Sequence, residues 1–353
     1  MIIKILKWLG YLILGFALLI AGFLAYVTIT DYKPAEVLPL SVKNNKEQIL
    51  KKGQPFSITT FNIGYAGLDK NEDFFMDGGT MSGSSSKKQT MTNLRGVTSF
   101  IENERSDINL IQEIDTNSTR SYHINEVNDL TKKLPDYSHT FAVNYKVPWV
   151  PVPIFHPLGS ANSGLLTLSK YKISDSHRYR LAGQESWPRQ QFDLDRAFIE
   201  SRMPVDNGKE LVLINLHLSA YDKGGKVRKQ QLKYLSTYLH KEIQKGNYII
   251  LGGDWNHAIP TTNPYLFPTT EKWPDWLQKF PSTFKPTGFQ WVADKTIPST
   301  RSDDYPFKKG RNFQAVIDGF LVSPNITLKN VKGHDLGFEN SDHNPVTAEL
   351  VLN

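Results

Sequence analysis

The sequence predicts a sheet-rich α/β sandwich carried behind one N-terminal membrane-spanning helix. Three observations carry this expectation. An uncharged apolar stretch runs from Trp8 to Thr30. Beyond it, short apolar runs of strand length, rich in β-branched residues and bounded by turn residues, recur to the C-terminus. Helical periodicity fills some of the gaps between those runs and is missing from others, unlike the strict alternation of a doubly wound parallel sheet.

The apolar stretch comes first. As a helix at ~1.5 Å per residue it covers roughly 34 Å, enough to cross a bilayer core. It lacks the polar face that a core helix of this length would show. A cleavage site after Ala25 would place Phe23 at the −3 position, a poor signal-peptidase pattern, so an uncleaved anchor is expected. Lys4 and Lys7 precede the stretch and Asp31 follows it, which puts the N-terminus in the cytoplasm and the rest of a single-pass cell-membrane protein outside. Residues 1–30 are thus read as the N-terminal cytoplasmic residues and transmembrane anchor.

Residues 31–54 are polar, contain Pro34 and Pro39, and show little periodicity, which reads as a tether. The folded domain is expected over 55–353. Its strand-like runs are Phe56 to Ile63, Ile108 to Gln112, Gly164 to Leu168, Ala197 to Met203, Leu211 to Leu218, Tyr248 to Leu251, Ala315 to Val322 and Pro345 to Val351. The clearest helix runs from Lys226 to Lys245, where Leu232, Leu235, Leu239 and Ile243 recur at helical spacing before Gly246. The Gly/Ser-rich stretch Met76 to Lys88 reads as a mobile loop, long enough for a lid. No internal repeat is present.

Composition narrows the chemistry. With 39% hydrophobic and 22% charged residues, the 353-residue chain is ordinary globular protein and not a disordered one. No cysteine is present, which excludes a disulfide framework, a thiolate zinc site, a cysteine nucleophile and an iron–sulfur cluster. Any metal must be held by oxygen or nitrogen. The excess of 41 Lys plus Arg over 35 Asp plus Glu is mild, and two of the lysines belong to the anchor. Such a balance neither predicts nor excludes a nucleic-acid partner.

Five segments place polar, metal-competent residues where an apolar run ends: Phe61-Asn62, Gln112-Glu113, Asn215-Leu216-His217, Gly252 to His257, and Ser341-Asp342-His343. One such strand end is usually a cap or a turn. Five gathered at one sheet edge would make a cleft.

In TTFNIG, LIQEID, NLHLSA, LGGDWNH, VIDGFLVS and SDHNPV, the chain from Pro55 to its C-terminus resembles the endonuclease/exonuclease/phosphatase (DNase I-like) superfamily. The resemblance implies a four-layer αββα sandwich with two packed central β-sheets. It also implies hydrolysis of a phosphodiester or phosphomonoester by in-line attack of water, with a divalent cation. Carried over, Glu113 would be the main cation ligand, helped by Asn62 and Asp342; oxygen donors of this kind suit Mg²⁺ or Mn²⁺. Asp254 would orient or deprotonate the water and Asn256 would hold the phosphoryl group or the nucleophile. His217 and His343 would contact phosphate oxygens as donors or acid–base groups, with Asp318 orienting His343. The logic stands without the family, because in-line attack builds negative charge that a cation and imidazole donors stabilise while a carboxylate readies water.

Two departures bear on the substrate. In pancreatic-type deoxyribonucleases a Glu orients the histidine matching His217; the corresponding run, Ser163 to Lys170, has no carboxylate. Inositol 5-phosphatases carry Arg after the position of Asp318, where this chain has Gly319. Arg120 and His123 follow LIQEID closely enough to reach substrate, His257 extends the GDWN motif, and Arg196 follows FDLD; each is also consistent with an ordinary structural role. Aromatic, Pro-rich loops at Val147 to Pro157 and Pro264 to Trp291 offer Trp149, Phe155, Trp273 and Trp276 as a binding rim or as packing on the domain's own surface.

Anchor and aromatic loops together point to a lipid headgroup or similar envelope phosphate ester as substrate. An extracellular nuclease is the alternative, with Lys87, Lys88, Lys223, Lys226, Lys308, Lys309 and Arg311 as a possible groove. A non-catalytic scaffold is the third reading. No protein partner can be inferred.

Overall fold

Most of the apolar runs are too continuous for strands with one wet face, so their sheets must be covered on both sides. The computed structural model describes residues 1–353, the side chain of Lys223 excepted. In chain order, α1 (Ile2–Ile29), β1 (Val37–Pro39), β2 (Pro55–Asn62), α2 (Lys87–Glu104), β3 (Ile108–Asp115), α3 (Glu126–Lys133), β4 (Ser138–Val150), β5 (Gly159–Ser169) and β6 (Asp175–Arg180) form the first half. Then come β7 (Ala197–Pro204), β8 (Glu210–His217), α4 (Lys226–Ile243) and β9 (Tyr248–Asp254). Short strands β10 (His257–Ala258), β11 (Gln278–Lys279), β12 (Gln290–Val292), β13 (Thr300–Arg301) and β14 (Gln314–Ala315) lead to β15 (Asp318–Val322), β16 (Ile326–Gly333) and β17 (Val346–Leu352).

A six-stranded sheet in the order β16-β17-β2-β3-β5-β4 faces a seven-stranded one, β1-β6-β7-β8-β9-β15-β12. Successive side chains divide between the two faces of each sheet. Ile58 and Leu110 from the first sheet meet Leu213, Ile250 and Phe320 from the second in the central core. Val212, Ile214, Ile249 and Leu251 point the other way, under Leu232, Leu235 and Leu239 of α4. Val97 and Ile101 of α2, with Leu130 of α3, cover Phe61, Ile111 and Leu166. The result is the four-layer αββα sandwich expected.

Helix α1 is long and apolar enough to cross a membrane, and little of it is buried. Its C-terminal end nevertheless rests on the domain: Val27 is buried, Phe23 stacks on Phe192 with ring centroids 6.0 Å apart, and Trp187 Nε1 donates to Thr28 Oγ1 at 3.1 Å.

The segment read as a tether is instead part of the folded body. β1 pairs antiparallel with β6, Leu50 is buried in the central core, and the Asn44 and Asn45 side chains donate to the Pro135 and Ile173 carbonyls. Its polar residues are spent on fixed backbone partners, which composition does not reveal. The Gly/Ser-rich stretch is likewise tied down. Asp77 accepts from the Tyr221 hydroxyl at 2.8 Å, Ser84 N donates to the Arg120 carbonyl at 3.1 Å, and Ser86 caps α2, which begins inside the stretch at Lys87.

Candidate active site

Strands β2 and β3 are parallel neighbours in one sheet, as β8 and β9 are in the other. Their C-terminal ends deliver Asn62, Glu113, His217 and Asp254 to one edge of the sandwich. β15 runs antiparallel to β9 and sets Asp318 opposite Asp254 in register. His343 joins from the turn before β17 through a bridge to Thr300. Beneath them Gln112 Nε2 donates to Asn215 Oδ1 at 2.8 Å, so the asparagine of the NLH motif fastens one sheet to the other under the site.

Local backbone chemistry makes the edge possible. The β3–β5 pairing shifts register between Ile111 and Ile114, and Glu113 takes φ 52° there, an irregularity of the kind that re-aims a side chain. Gly253 has φ 145°, and a Cβ there would lie 1.9 Å from the Leu216 carbonyl oxygen of β8. Gly64 has φ 51° and leaves room for Asp342 Oδ1, which a Cβ would meet at 2.6 Å.

Asn62 Nδ2 donates to Glu113 Oε1 at 3.1 Å and to Asp254 Oδ2 at 3.0 Å. Its Oδ1 accepts from Gly64 N at 3.0 Å. Both ends of the amide are therefore engaged, and Asn62 Nδ2 ties the two carboxylates together. His217 Nε2 lies 3.4 Å from Asp254 Oδ2 and 3.8 Å from Glu113 Oε1. His343 Nδ1 donates to Asp318 Oδ2 at 2.8 Å, and Ser299 Oγ donates to the same oxygen at 2.7 Å. The other nitrogen, His343 Nε2, is 3.7 Å from Asp342 Oδ2 and 3.8 Å from Asp254 Oδ2. Asn256, at φ 48°, donates through Nδ2 to the Leu218 carbonyl at 2.8 Å, and its backbone N–H caps Asp254 Oδ1 at 2.8 Å.

The electrostatics follow from burial and crowding. Burial raises the Asp254 carboxyl to about 7, with Asp318 adding to the rise. Burial also raises Glu113 against the pull of Arg120, and Asp342 pushes in the same direction. Burial disfavours charge on both imidazoles, yet Asp318, Asp342 and Asp254 outweigh it at His343 and hold that ring protonated well above its ordinary range. At His217 burial is reinforced by Arg196 and His343, and its pKa falls well below the ordinary value.

Oxygen and imidazole donors of Glu113, Asp254 and His217 lie within 4.8 Å of one another. Two carboxyls raised by burial and by neighbouring carboxylates, beside a neutral imidazole, fit a hard divalent cation. Asp342 lines the same cavity.

The remaining expectations divide. Arg120 reaches the cavity wall, but Nε and Nη2 clasp Asp115 at 3.1 and 2.9 Å and the guanidinium lies 3.8 Å over the Tyr65 ring. His123 is exposed and bonded to Asn117, away from the cavity. His257 is buried against Phe280 with Nδ1 donating to the Trp255 carbonyl; burial lowers it to about 4, and its role is structural. Trp273 packs on Phe313 and donates to the Leu277 carbonyl. Trp276 belongs to the same cluster while touching the cavity wall. Trp273 is thus spent on the domain's own surface, between Tyr265 and Phe313, while Trp276 keeps a face on the cavity. Trp149 is partly exposed and does not line the cavity.

The cavity, about 280 Å³, also shows residues that sequence reasoning did not assign. Tyr65, Asn144, Tyr221 and Asp303 line it, and Arg196 stands beside His217, its Nη1 3.5 Å from the His217 carbonyl oxygen and its Nε buried without a partner. Only Arg196 had a sequence signal, its place after FDLD. Among the described residues of the wall there is no lysine. Of the proposed basic groove, Lys87, Lys88, Lys226, Lys308, Lys309 and Arg311 lie outside the wall, and the Lys223 side chain lies outside the described residues.

The family model described as Endonuclease/Exonuclease/phosphatase family matches residues 59–343. Among solved structures, an endonuclease/exonuclease/phosphatase from Beutenbergia cavernae superposes with a TM-score of 0.59 at 16% identity, covering 85% of this chain and 72% of that one. One from Bacteroides vulgatus gives 0.53 at 19% identity, covering 85% and 100%. The human nocturnin catalytic domain with bound sulfate gives 0.52 at 17% identity, covering 89% and 98%. At these identities the likeness is one of fold. A comparison with curated protein sequences found no match.

Proposed function

We propose, from the premise that this chain belongs to the endonuclease/exonuclease/phosphatase family, that it is a divalent-cation-dependent phosphoric ester hydrolase held by α1 in the cell membrane. Its domain stands outside, and its substrate is a lipid headgroup ester or a similar envelope phosphate. The observation that carries the substrate reading is the cavity wall. Beside the acid cluster it presents Leu68, Phe74, Val150, Leu158, Phe192 and Leu194, and of its four arginines Arg120, Arg189 and Arg301 are paired with Asp115, Glu185 and Asp303, a surface suited to an apolar neighbour of the phosphate more than to a polyanion.

Glu113 and Asp342 would hold the cation, Mg²⁺ or Mn²⁺, next to Asp254 and His217. When bound, the ion neutralises charge on the phosphoryl oxygens. The chain's own groups do the rest. Asp254, fixed by Asn62 and the Asn256 N–H, orients the attacking water and takes its proton. Neutral His217 donates one hydrogen bond to a phosphoryl oxygen. Arg196 adds a guanidinium donor on the same side. His343, held protonated by Asp318, delivers a proton to the leaving alkoxide.

The test is cation-dependent hydrolysis by the full chain in detergent or vesicles, on bis-p-nitrophenyl phosphate, plasmid DNA, RNA, sphingomyelin, glycerophospholipids and inositol phosphates, beside Glu113→Ala and His343→Ala. Cation-dependent cleavage of a phospholipid, lost in both variants, supports the reading. Ready cleavage of DNA with every lipid ignored gives the nuclease alternative. Silence on the whole panel without cation binding by calorimetry gives the scaffold.

A further inference from the structure

Two loops form the lips of the cavity mouth. The first continues β4, with Val150, Val152 and Leu158 on the wall; the second contributes Gly183, Gln184, Glu185, Arg189 and Phe192. The second lip is the one that carries α1, through the Phe23–Phe192 stack and the Trp187–Thr28 hydrogen bond. Asp31 and Lys33 are the first charges after the helix, so a bilayer spanned by α1 ends near Thr28, at the level of the Trp187 indole. Indoles settle at that depth because one edge is apolar and the N–H is polar.

The first lip continues β4, a strand that itself lies against α1. Its tip, Pro151 to Pro157, contains no Asp, Glu, Lys or Arg, and Ile154 and Phe155 are 80% and 88% exposed there, with Trp187 60% exposed on the opposite lip. Both sides of one cavity mouth thus hold out large apolar side chains, and one side is already fixed to the membrane helix.

We propose that the Pro151–Pro157 tip, with Trp187, docks into the headgroup and upper acyl region of the same bilayer that α1 spans, so that the cavity mouth opens onto the lipid surface. This rests on the reading of α1 as an anchor and extends the lipid-ester reading, since a phosphate at that surface would reach Glu113 and Asp254 without its apolar part leaving the bilayer. Docking strength follows the apolar area placed at the boundary.

The absence of native cysteine permits a direct test in the full chain. Phe155→Cys, with Ile154→Cys as a second position, is labelled with an environment-sensitive fluorophore and reconstituted in phosphatidylcholine/phosphatidylglycerol vesicles carrying a nitroxide on the upper acyl chain. Lys329→Cys is the control. Its strand, β16, lies at the opposite edge of the six-stranded sheet from β4, five strand spacings or roughly 24 Å away. A blue shift and loss of emission at 154 and 155, with neither at 329, is the expected result. Emission at 154 and 155 that the nitroxide lipid leaves unchanged overturns the docking. Quenching at both positions with no phospholipid hydrolysed would keep the docking and end the lipid-substrate reading, so the two failures are distinct.

Discussion

Asp254→Asn is expected to make the cation-free protein more stable while abolishing hydrolysis. Burial and the facing Asp318 raise the Asp254 carboxyl from 3.8 to about 7. A carboxyl raised in the folded state contributes stability that is complete below the unfolded pKa and is lost as pH climbs through the folded one. A gap of about three pH units at ~1.4 kcal/mol each is roughly 4 kcal/mol lost by about pH 8. Asparagine carries no charge to bury. It keeps an acceptor for the Asn256 N–H but sets an amide nitrogen against Asn62 Nδ2, where Asp254 now accepts at 3.0 Å, a cost of about 1 kcal/mol. The net gain is therefore roughly 3 kcal/mol above about pH 7. His217, lowered in the fold, titrates with the opposite sign, its contribution falling away in acid; at the alkaline end it is neutral in the folded and the unfolded chain alike and leaves the comparison to Asp254. The assay is urea unfolding of the full chain in detergent with EDTA, wild type against variant, from about pH 5 to about pH 8. The difference should grow with pH and level off, and saturating Mg²⁺ or Mn²⁺ should restore the wild type selectively. A variant no more stable than wild type at the alkaline end would refute the reasoning that this cluster waits for positive charge.

Leu50→Ala should cost about 2–5 kcal/mol in the same unfolding assay, the range for truncating a leucine in a core, because Leu50 is 1% exposed between the sheets; a change within about 0.5 kcal/mol would return residues 31–54 to a tether. Arg196→Lys keeps the charge but loses the planar fork, and kcat/KM should fall about tenfold or more with the melting temperature unchanged; wild-type kinetics would remove Arg196 from the phosphate site. Asp318→Asn removes the carboxylate that holds His343 protonated. It should lower kcat by on the order of 10²–10⁴ and move the alkaline limb of the pH–rate profile to lower pH; an unmoved limb would take the acid role away from His343.

What could be read from the sequence was set by burial on both faces. β2, β3, β8, β9, β15 and β17 are paired on both sides within their sheets and are mostly buried, so each appears as a largely apolar run that turns polar toward the site. β6, Asp175–Arg180, has no such signature, since its order is fixed from outside by pairing with β7 and β1. Its Arg178 is buried only because the Val143 and Asp195 carbonyls accept from it. β4 and β16 close the two edges of their sheet; β16 leaves Lys329, Asn330 and Lys332 in water, and β4 alternates buried with half-buried side chains over its first half. The predicted run Ala315 to Val322 breaks in two because Val316 and Ile317 give their carbonyls to Ile259 and Trp255 instead of to a strand. The acids and histidines of the site were legible because each stands at the end of such a run. Tyr65, Tyr221 and Asp303 come from loops, and only the folded chain brings them together.

The missing carboxylate behind His217 has a structural consequence that unites these pieces. His217 Nδ1 is buried and accepts or donates nothing within the protein, while the neighbouring guanidinium of Arg196 and the protonated ring of His343 both oppose charge on it. Both rings have two carboxylates near Nε2, but only His343 has a third, Asp318, at 2.8 Å from Nδ1. Two imidazoles a few ångströms from the same Asp254 are thus driven in opposite directions, one neutral and one protonated at the same pH. Environments that separate the pKa values of paired groups assign the acid and the base before any substrate arrives. A carboxylate behind His217 would erase that separation by holding both rings charged. Its absence from Ser163 to Lys170, which reads in the sequence as a departure from one branch of the family, leaves His217 Nδ1 without a partner in the folded protein, while Asp318 faces the same atom of His343.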